Sequence, residues 1–476
     1  MTQFIRARAA FAFALTLSAI ARADTTDDYV RAQMQAQHIP GLSIAVIRDG
    51  KLELAKGYGY ANLELRAPAT ADTVYELASV TKQFIAAAVL LLQQDGELSL
   101  DDSVGKFLDI APPAWKDVTL RHLLSMTSGV KDYISDSLAP GEKPLVETRT
   151  FPKEDSSADK IINSIAALPL KFPPGEQFSY SNTGYIVLAR VVTRVAGQEW
   201  DQFLDARVFK PLGMTQTRRN DDRQIFPNRA SRYDIDDDAA APQWRNSMWL
   251  NPTYWWQGGA GIVSTVRDMA KWDAALREGR ILNADSQRLL RTPQTLKDGS
   301  QTHYGMGWWI DPFNGHTRMA HSGGVSGGGS NFTRFDDGKV SLIVIANTMV
   351  DLAEIANDVA GFFEPKLAHP SFILVATASP PAAGKLITIT VSATNWGAPT
   401  DGLVNLDIRK APFDRDDVVS HQASPIRKFA TGKAAENTFT WTAPEAGEYR
   451  VYVGAFSKDW AQMYAWKNGA ATVNVQ

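Results

Sequence analysis

The chain has no cysteine among its 476 residues. Disulfides, cysteine nucleophiles and thiolate metal sites are excluded together. Stability must come from a packed core, which a chain of this length can bury. The seven histidines (His38, His122, His303, His316, His321, His369 and His421) nowhere stand in H-x-x-x-H or H-E-x-x-H spacing. No metal site is expected, and nothing calls for a cofactor. Positive charge is not in excess either: 49 Lys and Arg face 52 Asp and Glu. That balance speaks against nucleic acid as a partner. One apolar run opens the chain, Ala9 to Ala21, and it is too short for a comfortable membrane span. Arg6 and Arg8 precede it and Ala21-Arg22-Ala23 ends it, the pattern of a secretory signal over residues 1–23. The mature chain is therefore expected in the periplasm or outside the cell, with no membrane span after cleavage.

Hydrophobic residues make up 44% and charged residues 21%, a globular balance. Leu42–Ile47 suits a buried strand, Asp49-Gly50 a hairpin turn, and Lys51–Ala55 the return strand. From Ser79 to Gln94 the pattern is helical and almost wholly apolar, which places that helix centrally. Residues 100–280 alternate short helical patterns with loops. Strand patterns return at His321–Ser322, Asn331–Phe335 and Val340–Ala346 with a turn at Asp337-Gly338, and Leu352–Phe363 reads as a closing helix. Strands at both ends with helices between predict an α+β domain, its sheet assembled from the two ends around an inserted helical region. After Pro365 the texture changes. Pro370, Pro380-Pro381 and Gly384 mark a linker-like passage, and period-two patterns then predict a separate all-β sandwich. The expected division is 1–23 signal, 24–368 α+β domain and 369–476 sandwich. The acidic cluster Asp234 to Asp238 is open to calcium, but the EF-hand order and glycine are missing, which favours a solvated loop.

Three motifs carry chemistry. Ser79-Val80-Thr81-Lys82 puts a serine and a lysine on one face at a helix start. The helix N-terminus offers N–H groups to an oxyanion, and burial lowers the lysine pKa. Alone, this spacing is better explained by a capped helix with a surface lysine. Tyr180-Ser181-Asn182 adds a phenol able to relay a proton and an amide able to anchor the lysine and donate to a substrate carbonyl. His321-Ser322-Gly323-Gly324, on an expected edge strand, lets substrate approach the backbone, and the Gly324 N–H is a candidate second oxyanion donor.

In this order the three motifs resemble the β-lactamase-related serine hydrolases: class C β-lactamases, DD-peptidases, D-aminopeptidases and β-lactamase-like esterases. The resemblance runs from Ile39 to Phe363. It is supported by Ile39-Pro40-Gly41, Leu120-Arg121-His122-Leu123-Leu124 with Thr127-Ser128-Gly129, Pro211-Leu212-Gly213-Met214, Gly259-Ala260-Gly261 and Tyr304-Gly305-Met306-Gly307-Trp308. It implies the serine β-lactamase/DD-peptidase fold, with an antiparallel sheet flanked by helices. It also implies Ser79 as nucleophile, Lys82 and Tyr180 as base and acid, Asn182, His321 and Gly323 as substrate contacts, and the Ser79 and Gly324 N–H groups as oxyanion hole. True β-lactamases of this type usually carry lysine where this chain has His321. A histidine is mostly neutral near pH 7, so the resemblance is closer to the peptidase and esterase branches.

The expected function is an exported serine hydrolase acting through an acyl-enzyme on small esters or amides, of esterase or D-amino-acid peptidase type. The alternatives are a β-lactamase, or a penicillin-binding-type sensor that acylates without turnover. Gly324-Val325-Ser326-Gly327-Gly328 also fits G-x-S-x-G, but no helix pattern follows it, so a glycine-rich bend is the expected reading. Trp396, Trp441, Trp460, Tyr464 and Trp466 leave two readings of the sandwich, core packing or carbohydrate and cell-wall contact.

Overall fold

Eight residues rich in Ile, Val and Leu form strand β1 (Gly41–Arg48), buried along all but its last position. β2 (Lys51–Asn62) folds back on it, running beyond the expected end at Ala55. The turn between them is Asp49-Gly50, with φ of 50° and 74°. Two left-handed residues match the twist of a tight hairpin, and this pair of residue types adopts them at low cost.

The computed structural model describes residues 24–108, 113–136, 158–236, 243–247, 258–337, 339–379, 386–413 and 418–475. In it the hairpin joins a seven-stranded antiparallel sheet. The other strands are β3 (Ala67–Pro68), β4 (Trp309–Phe313), β5 (His316–Val325), β6 (Gly328–Phe335) and β7 (Val340–Ala346), in the order β3-β2-β1-β7-β6-β5-β4. β1 pairs with β7 from Leu42↔Ala346 to Arg48↔Val340, so the two ends of the domain meet at mid-sheet as expected. The edge strand β4 was not foreseen. It pairs with β5 only as far as Ala320↔Trp309, so among the described residues β5 beyond Ala320 has no strand partner on that side. The open stretch is His321–Val325, which places the third motif at a free edge although its strand is not the outermost one. Gly338 of the expected turn lies outside the described residues.

A single 3-10 turn, Ala78–Val80, leads into helix α1 (Thr81–Gln94), buried without interruption from Thr81 to Leu92. Phe84 packs its ring 4.8 Å from Trp272 and 5.4 Å from Phe209. α2 (Asn182–Ala196) packs against α1. Ser181 caps its first turn by accepting from the Gly184 N–H, and Gly197 ends it in the left-handed conformation. Among the described residues, no helix is long and apolar enough to cross a membrane. Residues 1–23, read as a signal, lie outside them.

The chain divides into two compact units. One, His38–Asn357, holds the seven-stranded sheet and the helices between its halves. Among the described residues, the other joins residues 24–37 to those from Asp358 onward, and the division falls within the helix Ala353–Phe363. In the second unit the buried Asp358 ties three segments together. Its carboxylate accepts from the hydroxyls of Tyr29, on a helix over 24–36, and Ser371, and it pairs with His369 at 3.1 Å.

The sandwich has two antiparallel sheets. One is Phe372–Ala378, Leu386–Asn395 and Lys433–Thr442. The other is built on Val418–Ala423, Thr400–Lys410, Gly447–Ser457 and Met463–Val475, with Arg427–Phe429 alongside. Phe372–Ala378 corrects the linker reading: flanking prolines hid a strand that pairs from Phe372↔Asn395 onward. Pro380, Pro381 and Gly384 lie outside the described residues. Of the aromatics noted in the sequence, Trp441 is core beside Tyr449, Tyr464 stacks on Phe372, and Trp396 packs edge-on against Tyr29. Trp460 and Trp466 are more open, Trp460 being 44% exposed and Trp466 half-buried.

Candidate active site

The serine stands where the chain leaves strand-like backbone for the buried helix. Ala78 takes φ of +46°, a left-handed conformation for a residue that pays for its Cβ. It is fully buried and packs with Ala260 and Val325, which hold it there. The turn presents Ser79 partly exposed and sends Lys82 inward, where it is 0% exposed. The i, i+3 spacing does what the sequence required of it. Lys82 Nζ lies 3.0 Å from Ser79 Oγ, and it donates to Asn182 Oδ1 at 2.7 Å and to the Gly259 carbonyl at 2.7 Å. The rings of Tyr180 and Tyr185 cover the amine at 4.9 and 5.6 Å.

Burial of that amine disfavours its charged form. It draws the Lys82 pKa down to about 7, against the opposing pull of the Asp132 carboxylate. Burial acts the other way on Tyr180. Its phenol, hydrogen-bonded to Ser79, is pushed above the ordinary tyrosine range and so holds its proton. The pair therefore differs in role: an amine that is half neutral near pH 7 and a phenol that stays protonated.

β5 runs past the serine turn at close quarters. A Cβ on Gly323 would lie 2.3 Å from the Leu77 carbonyl oxygen and 2.9 Å from Ser79 N, so only glycine lets the strand lie against the nucleophile's backbone. Ser330, on β6, fastens the same place by donating to the Leu77 carbonyl at 2.6 Å. Gly324 differs. It is exposed, and a Cβ there would find its nearest neighbour at 3.7 Å, on Met349.

His321 departs from expectation. Strand alternation turns it inward with Gly323, while Ser322 and Gly324 face out. The imidazole is 1% exposed and both nitrogens are occupied, Nε2 by the Tyr304 hydroxyl at 2.9 Å and Nδ1 by the Ser322 carbonyl at 2.7 Å. Burial, and then the nearby Lys82 charge, lower its pKa to about 3. The ring is neutral, as the sequence suggested. It stands behind Tyr180, ring centroids 6.2 Å apart, and does not line a substrate surface. Ser322 is the side chain of this motif that faces outward.

Two participants were missed. Gly259 was noted only as part of a supporting segment, yet its carbonyl holds Lys82. Asp132 drew no notice: its Oδ2 accepts from both the backbone N and Nδ2 of Asn182, at 2.5 and 2.9 Å. Its place three residues after Thr127-Ser128-Gly129 was the only available signal, since the contact spans 50 residues of chain. The G-x-S-x-G match is a bend, as expected. Ser326 sits in the hairpin between β5 and β6 and bonds to Asp234 and Ser247, and among the described residues no histidine bonds to its hydroxyl. Asp234 and Asp236 serve that hairpin and an ion pair with Arg245, while Asp237 and Asp238 lie outside the described residues.

The sequence matches the family described as Beta-lactamase over residues 26–361. It is 27% identical to penicillin-binding protein 4* of Bacillus subtilis, over 65% of this chain and 68% of that protein. It is 28% identical to a D-aminopeptidase of Gluconobacter oxydans, over 67% of this chain and 57% of that protein. The chain thus spans between just over half and two thirds of the length of these relatives. The crystal structure of a D-amino acid amidase from Ochrobactrum anthropi, complexed with L-phenylalanine amide, superposes with a TM-score of 0.59 at 26% identity, covering 73% of this chain and 96% of that one. With the family match running over most of its length, and the fold in agreement, the chain is a member of the β-lactamase family of serine hydrolases.

Proposed function

We propose that the protein is an exported serine hydrolase that cleaves small esters or amides, D-amino-acid amides and peptides among them, through an acyl-enzyme on Ser79. The observation that carries this reading is the buried Lys82 amine, 3.0 Å from Ser79 Oγ with its pKa drawn to about 7. A neutral amine at that distance takes the hydroxyl proton as the oxygen attacks the substrate carbonyl carbon. The Oγ–C bond forms, the carbonyl π pair moves onto oxygen, and the backbone N–H groups of Ser79 and Gly324 receive the oxyanion. On collapse the C–N or C–O bond to the leaving group breaks. The proton then on Lys82 reaches the leaving atom through the Tyr180 phenol, which gives up its own proton and is reprotonated by the amine. Water repeats the cycle on the acyl-enzyme: it loses a proton to the same pair, the acid departs, and Ser79 regains its proton.

Uncharged substrates suit this site best, since the third motif offers an outward serine and a neutral, inward histidine. The printed names of the D-aminopeptidase and D-amino acid amidase relatives support the amide reading. The name of the penicillin-binding relative favours a second one, in which a β-lactam acylates Ser79 with or without turnover. Export rests on the basic, then apolar, first 23 residues, which also support a periplasmic or secreted location.

The test is a panel of short-chain aryl esters, D-alanyl amides and a chromogenic cephalosporin, run on the wild type and Ser79→Ala beside active-site labelling with a fluorophosphonate. The label should map to Ser79, and esters or amides should show repeated turnover. A label on Ser326, or a single stoichiometric burst with every substrate, overturns the reading. Tyr180→Phe and Lys82→Ala should each lower kcat by at least about a hundredfold, the scale of lost proton transfer.

A further inference from the structure

An amide side chain can sit either way round, and which way it sits decides what Lys82 meets. In the observed orientation the Asn182 oxygen accepts from Lys82 Nζ at 2.7 Å and its Nδ2 donates to Asp132 Oδ2 at 2.9 Å. The reverse orientation sets an NH2 group against the amine's N–H bonds and an oxygen against a carboxylate. Two hydrogen bonds would become two repulsions.

Asp132 is itself firmly held. It is 1% exposed. Oδ1 accepts from the N–H groups of Ile134 and Ser135 at 2.6 and 3.3 Å, and Oδ2 takes the Asn182 backbone N–H at 2.5 Å in addition to the side chain. That backbone N–H belongs to the first residue of α2, where a helix welcomes negative charge. The loop carrying Asp132 is pinned to the same helix by the Tyr133 N–H, which donates to Thr183 Oγ1 at 3.0 Å. The groups around the amine are Ser79, Asn182, the Gly259 carbonyl, the Tyr180 and Tyr185 rings, and the neutral His321. Among the described residues, Asp132 is the acidic group whose field opposes the effect of burial on Lys82.

We propose that Asp132 is a positioning residue for the hydrolytic reaction, fixing the Asn182 amide with its oxygen toward the Lys82 amine. The proposal rests on the reading of Ser79, Lys82 and Tyr180 given above. It has a signature that a packing role lacks. Without the carboxylate, burial acts on Lys82 unopposed, its pKa falls further, and the acid limb of the pH profile moves to lower pH. The plateau falls at the same time, because the amide no longer holds the amine toward the serine.

The experiment uses the full chain and a neutral aryl ester, with kcat/KM measured from about pH 5 to 9 for the wild type, Asp132→Asn, Asn182→Ser and the double variant. Asp132→Asn should lower the plateau at least about tenfold, as losing a group that orients a catalytic one does. Its acid limb should move down by roughly one pH unit, for one charge removed at a distance of several ångströms. The double variant should lose no more plateau than Asn182→Ser alone, because both act through one amide. An unmoved limb with a plateau within about twofold of wild type, or losses that multiply in the double variant, overturns the proposal. Should Asp132→Asn fail to fold, Asp132→Ser removes the charge while keeping an oxygen for the backbone donors, and the same outcomes apply. Fluorophosphonate labelling separates the two levels. A Ser79→Ala variant that still labels overturns the underlying reading along with this one, whereas Ser79 labelling with unchanged Asp132 variants overturns this one alone.

Discussion

Titrating kcat/KM of the wild type against a neutral ester isolates the Lys82 amine, because the other groups beside Ser79 do not change charge near neutrality. His321 titrates at about 3 and the Tyr180 phenol is pushed upward. With a pKa of about 7, roughly a tenth of the amine is neutral at pH 6 and nine tenths at pH 8. Activity should therefore rise about tenfold between those values and level off above them. A lysine at the ordinary 10.5 would instead give about a hundredfold rise over the same interval, and would go on rising past pH 9. The same displacement appears in stability. Moving the amine from 10.5 to about 7 corresponds to roughly 5 kcal/mol. Between the two values the unfolded chain binds the extra proton, so the cost is full below pH 7 and fades as pH climbs to 10.5. Relative to Lys82→Met, the wild type should gain roughly 3 to 4 kcal/mol in urea unfolding between pH 7 and 10. A kcat/KM that is flat from about pH 5.5 to 8.5, or a limb centred above 9, would refute Lys82 as the base.

Gly323→Ala should cost roughly 1–3 kcal/mol of stability and most of the activity, since the new methyl meets the Leu77 and Ser79 backbone; Gly324→Ala should fold normally, and equal Tm losses in the two would contradict this. His321→Lys buries a second cation near Lys82 and breaks the bond to Tyr304, so Tm and activity on neutral and carboxylate-bearing substrates should fall together; a selective gain on carboxylates would put the side chain in the cleft after all. Ending the chain at residue 368 strips Ser371 and His369 from Asp358, so the 24–368 fragment should melt well below the full chain, and an unchanged Tm would show that the tie is dispensable. If the sandwich contacts carbohydrate, Trp460→Ala and Trp466→Ala should each reduce retention on peptidoglycan or insoluble polysaccharide by about tenfold; full retention by both would assign any binding elsewhere.

Local chemistry made part of the fold legible. Asp49-Gly50 announces its hairpin because few residue pairs take two left-handed conformations, and the unbroken apolar run of α1 announces a central helix. Both signals lie within a few residues of chain. Trp309–Phe313 gave no such signal: it holds Pro312 and no alternation, and it is a strand only because β5 lies beside it. In the site, the serine and lysine were readable because their i, i+3 spacing is geometric, while Tyr180 was readable through its motif and the family resemblance that the three motifs carry together. Where His321 points was not. A strand offers two faces, and the choice between them follows from how Gly323 fits against the serine turn, a contact between distant segments. Asp132 was hidden for the same reason: a single acidic residue in a loop means little until Asn182 is brought against it.

The pairing of β1 with β7 sets a delay into the making of this protein. Leu42 leaves the ribosome about 300 residues before its partner Ala346, roughly 15 to 60 seconds at ordinary rates of synthesis. During that interval the hairpin of β1 and β2 exposes one of its most apolar edges with nothing to pair it, a template for sticking to other nascent chains. A chain so arranged stays open until nearly all of its catalytic unit has been made. That is costly for folding on the ribosome, because the sheet closes only when its first and last strands can meet.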